Sequence, residues 1–180
     1  MNRSQFEKWF READLERRHR VCRIKSDLGK MQSLCADGLA REMVAQGLPP
    51  SAVEFSRNEH GKPYAVNSPL HFNLSHSGDF VLCAVSEDEI GADIEILKPV
   101  APSLIRRVCT EEEQDFIGED DHRFLAVWTA KEALAKYSGH GLNGDLKTLS
   151  VVRSGHLQVP GLCLHTELTE EYALAILYKT

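Results

Sequence analysis

The chain changes twice from a helical hydrophobic pattern to short runs of strand-forming residues. In the first fifty residues, apolar side chains recur at helical spacing, with Phe6, Phe10 and Leu15 on one stripe. A second helical stretch runs from Lys25 to Gln46 and stops before a glycine and two prolines. Because this spacing places apolar groups on one face of a helix, we expect two helices to open the fold.

Five short runs of strand-forming residues, separated by turn residues, occupy the middle of the chain. They are Val53 to Arg57, Tyr64 to Val66, Leu70 to Leu74, Phe80 to Ser86 and Ile90 to Ile96. Helical signals return at Thr110 and Glu113, which fit a capping box. A longer helix is predicted from Asp121 to Tyr137, with Gly139 as its stop.

Three further strand patterns follow, at Leu149 to Arg153, Leu162 to Glu167 and Tyr172 to Tyr178. We expect them to form a second small antiparallel sheet. Helices followed by strands, twice over, predict an α+β fold of two similar halves. The first half is residues 1–100 and the second is residues 101–180.

Charge and hydropathy restrict the class of protein. The 180 residues carry a net charge of −6 with a pI of about 5.7, whereas a nucleic-acid-binding protein needs a strongly basic face. No apolar stretch approaches the roughly 18 residues that span a membrane, and the first residues lack the apolar core of a signal peptide. The five cysteines include no C-x-x-C pair. We therefore expect a cytoplasmic protein with reduced cysteines and with neither nucleic-acid nor membrane partners.

Two carboxylates, Asp93 and Glu95, alternate within an apolar run. On a strand, residues two apart leave the same face, roughly 7 Å apart at the backbone. Glu132 and Lys136, four residues apart outside the apolar stripe of the predicted helix, place an acid and a base on one helix face. Together the three acids predict a magnesium site for phosphate chemistry. Taken singly, the acidic pair is also typical of a solvated strand face, and the acid–base pair of a helix surface.

Three other segments have a composition that suits an anion. A turn of serine, histidine and glycine after Leu74 exposes His76 and several backbone amides, although His76 would equally cap a backbone carbonyl. Lys62 lies in a turn that enters a strand. The basic run from Arg17 to Lys25 suits either a terminal phosphate or a solvated helix face.

Taken in order, these segments resemble the 4′-phosphopantetheinyl transferases, specifically the larger monomeric type that activates surfactin synthetase and other carrier-protein systems. Four motifs carry the resemblance: Gly61-Lys62-Pro63, Asn73-Leu74-Ser75-His76-Ser77, Gly91-Ala92-Asp93-Ile94-Glu95, and Trp128-Thr129-Ala130-Lys131-Glu132-Ala133 with Lys136. Gly139-His140-Gly141-Leu142 follows them. The resemblance extends from about Phe55 to Leu142 and implies the pseudo-twofold fold of that superfamily.

The resemblance implies transfer of the phosphopantetheine arm of coenzyme A to a carrier-protein serine, with release of adenosine 3′,5′-bisphosphate. It implies magnesium, with manganese as the alternative cation, bound by Asp93, Glu95 and Glu132. Glu132 would also take the serine proton, and Lys136 would stabilise the departing phosphate. Ser75 and His76 are implied to hold a phosphate of coenzyme A. The remaining implied ligands are Lys62 near the nucleotide, and Lys25 and Lys30 near the 3′-phosphate.

Two other functions are open at this point. A metal-dependent hydrolase of a nucleotide pyrophosphate would use the same carboxylates with water as the nucleophile. A non-catalytic coenzyme A-binding protein would be expected to lose Glu132 or Lys136, yet both are present.

For the transferase, the partner would be an acyl or peptidyl carrier protein, and Arg106 and Arg107 are the predicted docking patch. Two halves in one chain predict a monomer.

Overall fold

The computed structural model describes residues 3–139 and 146–179, and its described part begins with three helices. They are α1 (Arg3–Glu12), α2 (Leu15–Arg23) and α3 (Asp27–Val44). The prediction of two opening helices with Leu15 on an apolar stripe is wrong. Asp14 caps a separate helix by accepting a hydrogen bond from the Arg17 N–H at 2.7 Å. Leu15 is the first residue of that helix and is 71% exposed.

The five strands predicted for the middle of the chain are present, with adjusted bounds. They are β1 (Phe55–Arg57), β2 (Pro63–Ala65), β3 (His71–Ser77), β4 (Phe80–Ser86) and β5 (Ile90–Ile96). The prediction of a turn at Ser75 to Ser77 is wrong, because β3 continues through these residues and pairs with β4. The hairpin turns instead at Gly78 and Asp79. Gly78 has a φ of +54°, which residues with a side chain rarely adopt.

Three α-helices, a short 3₁₀ helix (Leu146–Thr148) and four strands follow in the described chain. The α-helices and strands are α4 (Pro102–Val108), α5 (Glu111–Ile117), α6 (Asp121–Ser138), β6 (Val152–Arg153), β7 (His156–Leu157), β8 (Cys163–Leu168) and β9 (Tyr172–Tyr178). The predicted capping box is confirmed, since the Thr110 hydroxyl accepts from the Glu113 N–H and the Glu113 carboxylate accepts from the Thr110 N–H. Gly139 ends α6 in the left-handed conformation, as predicted. His140, Gly141 and Leu142 lie outside the described residues.

Strand β5 pairs with β9 along its full length, and β9 pairs with β8, in one antiparallel sheet. The prediction that the last strands form a sheet of their own is therefore wrong. Alternation of apolar residues shows which face of a strand is buried but does not specify its partner. The α+β class is confirmed, whereas the division into residues 1–100 and 101–180 stays a prediction.

Helix α6 lies across β5 and β9, and it forms the larger core with β9, α5 and β6. Helix α6 and strand β5 approach closely at Gly91, where an added Cβ would lie 2.0 Å from the Ala133 carbonyl oxygen. Ala130, one turn earlier on α6, is fully buried. The missing side chain of Gly91 therefore allows α6 to bring Glu132 and Lys136 close to β5.

Helix α3 lies between α1 and the hairpin of β3 and β4. Trp9 of α1 covers Gly38, where an added Cβ would lie 2.8 Å from the indole ring. On its other side, Val44 packs with Phe72 of β3 in a second core. Helix α3 thereby supports the strand that carries Ser75.

A buried ion pair joins α5 to α6. Lys131 Nζ lies 2.7 Å from Glu113 Oε2, and both side chains are fully buried. Lys131 also donates to the carbonyls of Leu146 and Leu149, and Glu113 Oε1 accepts from the Val151 N–H. Because these further partners lie between Leu146 and Val151, the ion pair connects the segment before β6 to α5 and α6.

Candidate active site

Strands β3 and β5 lie side by side but belong to different sheets, and polar side chains of β3 connect them. The Asn73 side-chain oxygen accepts a hydrogen bond from the Ala92 N–H at 2.9 Å, and Ser77 Oγ accepts one from the Ile96 N–H at 3.1 Å. Ser77 Oγ also donates to the Glu95 carboxylate at 2.7 Å. These side chains satisfy backbone groups that an adjacent strand would otherwise satisfy.

Asp93 is buried between β3 and α6, with 3% of the residue exposed. Its Oδ1 accepts hydrogen bonds from Ser75 Oγ and from Lys136 Nζ, each at 2.6 Å. The same ammonium donates to Ser75 Oγ at 3.0 Å. Burial raises the pKa of Asp93, and the neighbouring charge of Lys136 acts in the opposite direction. The structure therefore brings together three predicted site residues from β3, β5 and α6.

Glu132 lies one helical turn before Lys136 and is buried, with 7% of the residue exposed. The prediction that it falls outside the buried face of α6 is wrong, because strands and α5 cover this helix on several sides. Burial first, and then the negative charge of Asp93, raise the pKa of Glu132 to about 7. Lys136 opposes this rise and Glu95 adds to it. A carboxylate with this pKa is suited to accept a proton near neutral pH.

The donor chemistry of this site fits a hard cation. Asp93 Oδ2 is buried and has no hydrogen-bond partner among the described residues, which leaves an oxygen for another ligand. A cation beside it would offset the burial and repulsion that raise the pKa of Glu132. Within residues 3–139 and 146–179, however, no three acidic, histidine or cysteine side chains are grouped closely enough to hold one ion. The ligand set of Asp93, Glu95 and Glu132 therefore stays a prediction.

Lys62 and His76 occupy different settings near this cluster. Lys62 Nζ donates to Glu89 Oε2 at 2.7 Å and to the Ile90 carbonyl at 3.1 Å. Lys62 and Lys136 both line a cavity of about 210 Å³. His76 is exposed and follows the buried Ser75 on β3, so the two predicted phosphate ligands leave opposite faces of the strand.

A second cavity, of about 340 Å³, contains an arginine cluster. Arg17 and Arg20 of this cluster come from the basic run recognised in the sequence, whereas Arg57 was not predicted. Arg17, Arg20 and Arg57 line it together with several acidic residues. Burial lowers the pKa of Arg17, Asp37 opposes this, and the charges of Arg20 and Arg57 lower the pKa further. Arg17 Nη2 donates to the Ser33 carbonyl, while its Nε lies 3.5 Å from Asp37. Four arginines (Arg17, Arg20, Arg41 and Arg57) face three acidic residues (Asp14, Glu16 and Asp37) in this lining, so an excess of one positive charge favours the binding of an anion.

The two cavities adjoin each other. Pro63 and Leu74 line both of them. An elongated ligand that filled both would therefore have Lys62 and Lys136 near one end and the arginine cluster near the other.

Lys25 and Lys30, the lysines predicted to lie near a terminal phosphate, are placed differently. Lys30 donates to Asp27 Oδ1 at 3.0 Å in the first turn of α3, and Lys25 is exposed just before that helix. Neither belongs to the described residues that line the two cavities. The basic run from Arg17 to Lys25 was recognised in the sequence, but which of its members face inward depends on how α2 packs against α3. The roles of both lysines stay predictions.

Two family profiles together match almost the whole chain. Residues 2–88 match a family described as 4′-phosphopantetheinyl transferase, N-terminal. Residues 89–177 match the 4′-phosphopantetheinyl transferase superfamily. The boundary between the two matches falls in the turn before β5.

Several curated relatives carry the same name. A 4′-phosphopantetheinyl transferase of Bacillus subtilis is 32% identical over 178 residues, with 89% of this chain and 80% of the relative covered. The transferase Sfp of Bacillus subtilis strain 168 is 33% identical over 144 residues, with coverages of 76% and 64%. For psf-1 of Bacillus pumilus, identity is 32% over 143 residues, with coverages of 75% and 61%. The chain thus spans less than two thirds of the length of the latter two relatives. Because both profiles match this chain and these relatives are similar to it, the chain belongs to the 4′-phosphopantetheinyl transferase superfamily.

Proposed function

We propose that this chain transfers the 4′-phosphopantetheine arm of coenzyme A to a serine of an apo-carrier protein and releases adenosine 3′,5′-bisphosphate. The observation that carries the proposal is the pair of adjoining cavities with cationic side chains at both ends. Coenzyme A is an elongated polyanion, with a central pyrophosphate and a 3′-phosphate on its ribose. Its two anionic groups therefore match the two cationic regions, and membership of the superfamily supports the same reaction.

The arginine cavity is the proposed site of the 3′-phosphate. Arg17 and Arg20 offer planar guanidinium groups, which bind phosphate oxygens in pairs more readily than a lysine does. Lys25 and Lys30 are the alternative that the family resemblance implies, and they would act from the surface. At the other end, the proposed contacts to the pyrophosphate and the nucleotide are Lys62, Ser75 and His76.

The proposed reaction is attack of the carrier serine on the β-phosphorus of coenzyme A. Glu132, which lies one helical turn from Lys136 and is buried beside Asp93, takes the proton of the serine hydroxyl. The bridging oxygen leaves with the adenosine bisphosphate, and Lys136 stabilises the negative charge that develops on it. Magnesium, or manganese in its place, bound by Asp93, Glu95 and Glu132 would supply neutralisation of the phosphate charge.

The proposed partner is an acyl or peptidyl carrier protein. Carrier proteins are generally acidic, and Arg106 and Arg107 are both exposed on α4. This basic pair is the proposed docking patch. No helix in the described part of the chain is long and apolar enough to cross a membrane. We propose a monomer, because Ser75, Asp93 and Lys136 come together within one chain. We also propose that the protein is cytoplasmic.

The test incubates the protein with coenzyme A, magnesium and a panel of apo-carrier proteins, and measures the intact mass of each carrier. A serine that gains one phosphopantetheine unit confirms the proposal. If coenzyme A is cleaved while no carrier gains mass, the chain is a pyrophosphate hydrolase. If coenzyme A binds and neither product forms, it is a binding protein. Omission of magnesium, and its replacement by manganese, identify the cation.

A further inference from the structure

Glu89 lies in the turn before β5 and contacts one of the proposed coenzyme A ligands. Its Oε2 accepts a hydrogen bond from Lys62 Nζ at 2.7 Å. Its other carboxylate oxygen lies 3.1 Å from His71 Nδ1 on β3, which orients the carboxylate. The ammonium of Lys62, at the edge of the smaller cavity, therefore already has an anion beside it.

The two partners of this ion pair differ in how freely they can move. The Lys62 side chain is 15% exposed and is also anchored by the Ile90 carbonyl. The Glu89 side chain is 52% exposed. Glu89 can therefore turn into solvent more easily than Lys62, which the Ile90 carbonyl holds at the cavity.

We infer that Glu89 is an intramolecular competitor of the anionic co-substrate. In the free protein the Glu89 carboxylate forms an ion pair with the Lys62 ammonium. This ion pair has to break before an anionic group of coenzyme A can bind the same ammonium. This inference rests on the proposed function, because it requires Lys62 to bind coenzyme A. It adds a residue outside the four sequence motifs that sets the affinity for coenzyme A without taking part in the chemistry.

The size of the effect follows from the exposure of the pair. Coenzyme A can bind only the fraction of the protein in which Glu89 has left Lys62. The apparent affinity for coenzyme A is therefore the intrinsic affinity multiplied by that fraction. An ion pair with one half-exposed partner, as Glu89 is here, is weak, so the occupied state is favoured only about two- to fivefold. The competent fraction is then about one third to one sixth, so removal of the Glu89 charge is expected to tighten coenzyme A binding by about three- to sixfold.

The experiment measures the dissociation constant of coenzyme A by titration calorimetry for the wild-type protein and for Glu89→Gln. The matched controls are Glu87→Gln and Asp88→Asn, which remove the same charge one or two residues away in the same turn. At 0.15 M salt, the electrostatic repulsion between these two more distant carboxylates and bound coenzyme A is screened. We expect tighter binding in Glu89→Gln alone, with an unchanged kcat in the transfer assay.

A second comparison tests whether Glu89 acts through Lys62. In a Lys62→Met background, Glu89→Gln is expected to leave the affinity for coenzyme A unchanged. The inference is overturned if Glu89→Gln binds coenzyme A equally or more weakly, if the controls bind as tightly as Glu89→Gln, or if the gain persists without Lys62. A wild-type protein that binds coenzyme A but modifies no carrier overturns the proposed transfer only, since the calorimetric comparison is unaffected. A wild-type protein that does not bind coenzyme A overturns both.

Discussion

A carboxylate as deeply buried as Asp93 has to be paired, because an isolated charge in the protein interior is very unfavourable. Lys136 and Ser75 supply that pairing through one of its two oxygens. The second oxygen has no hydrogen-bond partner among the described residues. At the scale of single residues, the site therefore combines a neutralised carboxylate oxygen with one that is ready for a further ligand.

Replacement of Lys136 by alanine tests its role in the proposed reaction. Because its ammonium meets a charge that develops as the bond breaks, we expect kcat to fall by about 10²- to 10³-fold, with a smaller change in the KM for coenzyme A. Steady-state kinetics with an apo-carrier measures both. Lys136→Arg, which keeps the charge, should retain part of the activity, and thermal unfolding verifies that each variant is folded. An unchanged kcat in Lys136→Ala would exclude this role.

The cysteines should differ in reactivity because their burial differs. Burial raises the pKa of the Cys83 thiol to about 12 and that of Cys109 to about 11, so little thiolate is present at pH 8. Cys22 is exposed. We expect iodoacetamide at pH 8 to modify Cys22 first and Cys83 and Cys109 last, as measured by peptide mass spectrometry over time. The denatured protein, in which all three should react alike, is the control.

At the scale of elements, β3 shows how a polar strand can be mistaken for a turn. Asparagine, serine and histidine are common in turns, which favoured a turn at Ser75 to Ser77. The chain stays extended there because Asn73, Ser75 and Ser77 each bond to a group on β5. Polar residues at alternate positions were the signal of this arrangement, and Asp93 and Glu95 on the partner strand have the same spacing.

Gly91 tests how closely α6 has to approach β5. In Gly91→Ala the new Cβ would collide with the backbone oxygen of Ala133, which no side-chain rotation relieves. We expect a loss of about 3 kcal/mol in the free energy of unfolding, the upper part of the usual range for overpacking, and a lower kcat as Glu132 is displaced. Urea unfolding measures the first quantity.

Gly47→Ala is the matched control for this substitution. Gly47 has a φ of +90°, but the space that a Cβ would occupy there is open, so only backbone strain of about 1 kcal/mol is expected. An equal loss of stability in the two variants would contradict a steric role for Gly91.

The Lys131–Glu113 pair predicts a non-additive effect on stability. Lys131→Met leaves the fully buried Glu113 carboxylate without its ammonium partner, and we expect it to cost about 3–5 kcal/mol. In a Glu113→Leu background, Lys131→Met should lower the free energy of unfolding by less than it does in the wild-type protein, because no unpaired charge is left. Urea unfolding of both single variants and the double variant gives the coupling energy. Additive losses would contradict this account of the pair.

At the scale of the whole molecule, the site lies where two sheets meet without a shared ladder. The hairpin of β3 and β4 supplies Ser75, the sheet of β5, β9 and β8 supplies Asp93, and α6 supplies Glu132 and Lys136. Small displacements of either sheet should therefore change the site more than they change either core.

The docking patch is testable on this scale because it involves a second protein. Reversal of charge at Arg106 and Arg107, both to glutamate, should raise the KM for an acidic carrier about tenfold, since complementary charge mainly accelerates encounter. The KM for coenzyme A should not change. Arg153→Glu, at an exposed arginine on β6, is the control. An unchanged carrier KM after the double reversal would locate docking elsewhere.

Much of the fold was predictable from the sequence because local patterns carry it. The bounds of β4 and β5 and the cap of α5 agree with the prediction. The order of the motifs identified the superfamily, which the comparisons confirm. The sheet that β9 joins was predicted wrongly because the pattern contains no information on strand partners. The separation of α1 from α2 was missed for a different reason, since it depends on one local cap at Asp14 within a helical apolar pattern.

By itself, the sequence determined the α+β class, the superfamily and the residue types that would serve phosphate chemistry, because periodicity and motif spacing are local properties. Only the tertiary structure decided that Glu132 is buried with a pKa of about 7, that arginines surround a second cavity, and that Glu89 holds Lys62. The reason is physical. Burial and charge pairing depend on which groups pack together across the fold, and residues distant in the chain, such as Ser75 and Lys136, meet only when the elements assemble.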